Sequence, residues 1–507
     1  MAQNTLNRTS RWLEAILHLA KRMLDMIFCY PTDRLGRFFG GVGMLGLFVF
    51  GIFVWGTFFS WGDIPFDFLD WGEVTGPRYA LLRDAAEKGI IPLHAGNTTA
   101  LRGVTDRYFS IADTPFSLQS LLLPYLETGQ YIFFDSLLQY SIGFFGLVLL
   151  YRKYRLSLAS FSLIFLLFFF NGNITAHLAV GHSIWVGYFL TPFYILLVLA
   201  LVEKERVGYR WILGFSFVML VILLQGHFHL WLWCLMFLVP LALFNWRLLR
   251  PVLLAGLFTG LVCLPRLLPP TLALGGVTQE YLGGFSSLTD LVGSLIVLND
   301  PLTALHEMTD TFPLNPWETD FYIGLLGFAL VVGFGVMVPL WRDRSKKSLQ
   351  VQILVACLVM SAFSIGDVFA QVVRVFTIPP LTGERVTSRM FILPLIMVLV
   401  LAAIFVQREL ERRKLDAWAQ VLILIAGGIL FHDLNQHLQA WRIRYLDPMV
   451  NLFPKMAFDP AQHTIANHSD PIYVNMLLGG SFVAVLALAF LIWMAIKESR
   501  QPMAFDR

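Results

Sequence analysis

Four carboxylates crowd one short stretch of the chain, Asp63-Ile-Pro-Phe-Asp67-Phe-Leu-Asp70-Trp-Gly-Glu73. Asp63, Asp67 and Asp70 are spaced i, i+4, i+7, so on a helix they would share a face. Like charges that close should raise one pKa and favour a general base. A solvated acidic loop start explains the same spacing more often. Five basic residues follow in the same segment: Arg78, Arg83, Lys88, Arg102 and Arg107. Guanidinium groups kept in an acidic segment suit a phosphate or pyrophosphate, and ion pairing with neighbouring acids accounts for them equally well. The segment closes on Ala112-Asp113-Thr-Pro115, where Asp113 is a further candidate binding residue.

Histidines supply the second set of candidates. His177 and His182 are five residues apart, and His227 and His229 two apart. On a helix, two residues apart places side chains about 200° apart, so neither pair meets one metal easily. No HExxH-type ligand pattern occurs. Hydrogen-bonding groups lining a polar cavity, or interfacial residues beside Trp185, Trp231 and Trp233, fit better. Arg385 and Arg389 stand in Glu384-Arg-Val-Thr-Ser-Arg389, immediately before an apolar run, and Trp317-Glu-Thr-Asp320 precedes another. An arginine there ordinarily snorkels to the membrane edge. The Glu-Arg…Arg grouping also suits a lipid-linked phosphate.

The elements that must hold these residues are set by composition. Of 507 residues, 57% are hydrophobic and 14% charged, against about 25% charged in soluble proteins. With a mean hydropathy of +0.67, this excludes soluble, disordered and coiled-coil classes and predicts an all-α polytopic membrane protein. Apolar runs predict about 12 transmembrane helices, near 38–60, 132–151, 156–171, 184–202, 211–226, 229–245, 251–267, 321–341, 349–364, 390–407, 417–431 and 473–496. The connections on one side, with both termini, carry 25 of the 37 Lys+Arg and only 11 of the 34 Asp+Glu. The positive-inside rule makes that side cytoplasmic. The remaining connections, 61–131, 268–320, 365–389 and 432–472 among them, then face outward with ten of the eleven histidines. About seventy residues is too long for a structureless first loop, and Gly89 predicts the end of a short helix within it.

Residues 1–37 form a cytoplasmic segment in which 9–28 read as an amphipathic surface helix, and 497–507 form a cytoplasmic tail. The first 37 residues lack the pattern of a signal peptide. Cys29, Cys234, Cys263 and Cys357 imply neither a disulfide framework nor a cysteine zinc site. Asp33-Arg-Leu-Gly-Arg37 is similar to a major-facilitator loop signature, but it lies before the first span and reads as coincidence with cytoplasmic charge. Sequons at Asn97, Asn173 and Asn467 are short patterns that chance supplies.

The acid group Asp67, Asp70, Glu73 just after the first span, the long partly helical first outer loop and the cytoplasmic N-terminus resemble the GT-C superfamily of polytopic membrane glycosyltransferases. So do Trp317…Tyr322-Ile-Gly-Leu-Leu-Gly327 and Glu384-Arg-Val-Thr-Ser-Arg389, which look like bacterial uncharacterised members. One departure is that no adjacent Asp-Asp or Asp-Glu pair opens the loop. The resemblance implies sugar transfer from a polyprenyl-phosphate donor to a glycan, lipid or protein acceptor on the outer face of a bacterial plasma membrane. It implies Asp70, Asp67 or Glu73 as base. Arg78, Arg102, Asp113, His177, His182, His227, His229, Arg385 and Arg389 would bind substrate, with no metal or other cofactor and no nucleic acid. A transporter or lipid flippase, or a non-catalytic subunit of a membrane complex, is the alternative.

Overall fold

Asp33 shows how this chain starts a helix. Its carboxylate accepts the Gly36 N–H at 2.8 Å and caps Arg34–Phe58, so its place in the Asp33…Arg37 pattern has a local structural reason. A computed structural model describes residues 19–203, 207–273, 281–298, 301, 314–342, 348–376, 379–413, 415–443 and 459–500. Those residues are predominantly helical, and their only β pairing is in isolated bridges.

Nine helices among them, of 21–30 residues, are long and apolar enough to cross a membrane. They are Arg34–Phe58, Thr128–Tyr154, Leu158–Val180, Ser183–Glu203, Trp246–Leu267, Pro316–Arg342, Thr387–Arg413, Ala417–Trp441 and Pro471–Arg500. Three shorter apolar helices, Tyr209–Leu224, Phe228–Phe244 and Leu349–Phe363, coincide with the other predicted spans. At 1.5 Å per residue these reach only roughly 22–26 Å, less than the ~30 Å hydrocarbon core. Leu158–Val180 and Thr387–Arg413 are almost wholly buried, so they form the centre. Arg34–Phe58, Ala417–Trp441 and Pro471–Arg500 keep apolar side chains exposed and form the periphery.

Two boundaries differ from the sequence reading. The span placed at 417–431 continues as helix to Trp441, ten residues into the expected loop 432–472. Its polar continuation stays helical because Leu434, His437, Leu438 and Trp441 form one buried face. The span at 156–171 joins a second helix, Gly172–Val180, through Asn171. The Asn171 amide donates to Leu167 and Phe168 carbonyls at 3.1 and 2.9 Å, while its oxygen accepts from Ile174 N at 3.3 Å. One buried side chain thus ends one helix and starts the next.

The first loop holds the helix Gly76–Lys88, stopped by Gly89 in the left-handed region as expected. Residues 63–68 are irregular, with left-handed φ at Phe66, so Asp63, Asp67 and Asp70 do not share a helical face. Of the N-terminal amphipathic segment, 9–18 lie outside the described residues. Residues 19–28 are helical and expose Leu19 and Met23. All four cysteines are free thiols.

Candidate functional site

Short connections at one end of the helices set the site. Gly181, in the left-handed region, ends Gly172–Val180 and turns the chain back to His182. There is no room for a side chain: a Cβ on Gly181 would stand 2.1 Å from the Trp71 nitrogen. That contact sets the π-helical turn Trp71–Thr75 against Gly181, fastened by Thr75 Oγ1 donating to the Gly181 carbonyl at 3.0 Å. Asp70, at the start of this turn, therefore meets His182, with Oδ2 3.1 Å from Nε2.

His182 Nδ1 lies 2.6 Å from His177 Nδ1. With both rings neutral and His182 Nε2–H donating to Asp70, His182 Nδ1 accepts from His177 Nδ1–H. That leaves His177 Nε2 buried, without a proton and, among the described residues, without a hydrogen-bond partner. His177 stacks on Trp185 at 3.9 Å, and Trp185 packs against His227, whose two ring nitrogens are also buried and make no hydrogen bond among the described residues. Beyond lies buried Glu384, 2.9 Å from His229 Nδ1 and accepting from Trp233 Nε1 at 3.2 Å.

The arginines are partnered. Arg389 pairs through two nitrogens with Glu318, Nε to Oε2 at 2.5 Å. Arg78 is buried and donates to Asp113 Oδ1 at 3.1 Å, and the more open Arg102 pairs with Asp113 Oδ2. These are the local ion pairs that the sequence left as an equal alternative to phosphate binding. Arg78 is a structural group, since it also donates to the Ala100 and Asp113 carbonyls. Arg102, with 45% of its side-chain surface exposed, keeps donors available to a ligand.

Burial by itself would raise the Asp70 pKa. The His182 hydrogen bond and the fields of Arg102 and Arg389 overcome it and hold the carboxyl below its ordinary value. The like-charge argument for a raised base is therefore corrected: cations, rather than Asp63 and Asp67, are the nearest strong influences. Asp113 is likewise held well below the carboxylate range, by Arg78 and Arg102 against its burial. Asp70 Oδ1 makes no hydrogen bond among the described residues, and 40% of the Asp70 side-chain surface is open. One oxygen is held and the other can receive a proton.

Of the expected site residues, Asp70, Arg102, Asp113, His177, His182, His227, His229 and Arg389 share this neighbourhood, with Arg78 behind it. Asp67 is half-buried on the irregular stretch before it, while Glu73 and Arg385 are exposed. Trp71, next to Asp70, is buried against Phe59 and Phe66 and serves packing. Sequence reasoning left Glu318 without a role, although its place in Pro-Trp-Glu beside a span start was a usable signal. Two surface hollows, one beside Trp246 and Arg250, the other beside Arg155, Gln407 and Arg408, lie at the opposite helix ends. They contain none of these residues.

One group among the described residues has metal-ligand spacing: His94, Asp106 and His468, on loops outside this cluster. No protein-family model, curated protein or solved structure matches the chain.

Proposed function

We propose that the chain is a GT-C-like membrane glycosyltransferase with 12 spans and cytoplasmic termini. Its site faces outward from a bacterial plasma membrane and takes a polyprenyl-phosphate sugar as donor. The observation that carries this reading is Asp70: one carboxylate oxygen is held by His182, the other is open, and Arg102 and Arg389 flank it. The acceptor hydroxyl oxygen attacks the anomeric carbon as the bond from that carbon to the phosphate oxygen breaks. The bonding pair leaves on the polyprenyl phosphate, and the hydroxyl proton passes to Asp70 Oδ1. Arg102 and the edge of Arg389 offset the leaving charge. The unpartnered nitrogens of His177 and His227 offer polar contacts to the sugar.

The test is transfer from a panel of polyprenyl-phosphate hexoses by protein reconstituted in vesicles. Asp70→Asn should lower the rate by about 10²-fold or more, the usual scale for a lost general base. Asp67→Asn should change it little. Wild-type transfer by Asp70→Asn would sink the assignment.

A transporter is the second reading, and Asp135 favours it. This carboxylate is buried in Thr128–Tyr154, 2.9 Å from the Gln119 amide, with no cation contact among the described residues. An ionisable group so placed in a spanning helix suits a coupling-ion site. Loss of ion-coupled uptake in Asp135→Asn, with no sugar transfer by wild type, would put this reading first.

A further inference from the structure

Residues 93–95 run between two other extended segments. Ala95 N donates to the Asp106 carbonyl at 2.8 Å on one side, and Ala466 N donates to the His94 carbonyl at 2.9 Å on the other. Asn467 Oδ1 accepts both Leu93 and His94 N–H, at 3.0 and 2.9 Å. The first outer loop is thereby fastened to the segment that leads into Pro471–Arg500.

This pairing drives the His94 ring inside, where it is fully buried between His468, stacked at 3.9 Å, and Tyr473. Among the described residues neither His94 ring nitrogen makes a hydrogen bond; Nε2 has only the Asp470 carboxylate, 3.5 Å away, and Nδ1 is left without a partner. Such an orphaned buried imidazole requires an explanation. Its surroundings offer one. His468 Nε2 lies 2.7 Å from Asp106 Oδ2, and ligand atoms of His94, Asp106 and His468 all fall within 4.8 Å of one another. Asp470 Oδ2 sits 3.5 Å from His94 Nε2 and is held by Arg107 Nε at 2.6 Å.

We infer that His94, Asp106 and His468 form a zinc-class divalent metal site that clasps the first outer loop to the last. Two imidazoles and a carboxylate are the donor set that zinc takes, with water completing a tetrahedron. Bonds of about 2.0–2.1 Å place neighbouring ligand atoms about 3.3 Å apart on such an ion. Reaching that spacing takes a swing of the exposed His468 ring off its stack with His94, which opens its hydrogen bond to Asp106 and closes the wider separations of up to 4.8 Å. Asp470 Oδ2, 3.5 Å from His94 Nε2, stands where a carboxylate backs a metal-bound histidine, which leaves Nδ1 as the nitrogen to ligate. Arg107 balances its charge. His468 and Asp106 are solvent-reachable, which gives the ion its entry path. The site is separate from Asp70 and independent of the transferase reading, and the sequence expectation of no metal did not foresee it.

Tag-free protein in detergent, stripped with EDTA and dialysed against zinc chloride, tests this by metal content and melting temperature. Wild type should hold one zinc per chain and melt higher with it. His468→Ala, at an exposed ring, should fold normally and weaken zinc binding at least about 10-fold, abolishing the zinc-dependent rise in melting temperature. Asp106→Asn should do the same. Absence of stoichiometric zinc in wild type, or zinc retained by His468→Ala, overturns the site. So does loss of the ion on His182→Ala instead, which would assign it to the other histidine cluster.

Discussion

Two carboxylate–histidine pairs border the helix Gly172–Val180, and they differ in what is left open. Asp320 is buried and engaged at both oxygens: Oδ2 lies 2.8 Å from both His437 Nε2 and Trp441 Nε1, and Oδ1 accepts from Tyr322 N at 3.1 Å. His437 stacks on Tyr322 and lies 3.4 Å from Thr175 Oγ1 through its other nitrogen. Asp70, at the opposite end of the same helix, is held at one oxygen by His182 and open at the other. The same two residue types make a lock in one place and an open edge in the other. What separates them is that both oxygens of Asp320 are buried and engaged, whereas Asp70 leaves one oxygen open to a proton.

The largest expected effect falls on the lock. Asp320→Ala strands the His437 and Trp441 donors inside the protein, and each stranded buried donor costs roughly 1–3 kcal/mol. The melting temperature in detergent should drop steeply. Asp70→Ala, at a half-open pair, should change stability by about 1 kcal/mol or less. Equal losses of stability in the two variants would erase the distinction.

Gly181 joins the two regions, because it ends the helix that touches both. Its φ of +102° and the 2.1 Å approach to the Trp71 nitrogen leave no place for a methyl group. Gly181→Ala should cost about 1–2 kcal/mol from backbone strain alone, with the clash added. It should also push Asp70 away from His182. Sugar transfer should fall toward the level of Asp70→Asn, while the zinc content expected at His94 stays unchanged. Normal transfer by Gly181→Ala would show that the Asp70–His182 contact is dispensable.

Much of this was legible in the sequence. Apolar periodicity located a helix at every predicted span, because exposure to lipid forces long apolar runs. Asp70 and Arg102 stood out as charged residues of the long first loop, and the four clustered histidines and Arg389 as polar residues beside predicted spans. Their partners did not. Glu384 meets His229 across 155 positions and Glu318 meets Arg389 across 71, distances at which local spacing carries no information. The helix Ala417–Trp441 was shortened in the sequence reading because His432, Asp433 and His437 read as loop. Only Asp320 and Tyr322, far along the chain, explain why Asp433 and His437 sit on a helix. The clasp proposed at His94 escaped notice because His468 and Asp470 lie more than 360 residues along the chain, so that His94 and Asp106 alone, 12 residues apart, carried no pattern.

The smallest expected effect concerns the charge on Asp70. A lowered folded-state pKa means that Asp70 contributes stability above its unfolded value, about 3.9, and that this is lost as pH falls through the folded value. Between pH 5 and 8 the carboxylate is therefore ionised throughout, and an acid limb of transfer from Asp70 belongs below about pH 4. His182, Arg102 and Arg389 set that position against burial. Arg102→Gln removes the most exposed of the two arginines and frees one Asp113 oxygen, while Arg78 keeps hold of the other. Both changes raise the Asp70 pKa. Solvent screens an arginine this exposed, so the acid limb should move upward only slightly, and less again in high salt. The measurement is the pH profile of transfer at two ionic strengths. An acid limb that moves down, or one that Asp70→Asn leaves in place, would assign the titrating group elsewhere and return Asp70 to a structural role like that of Asp320.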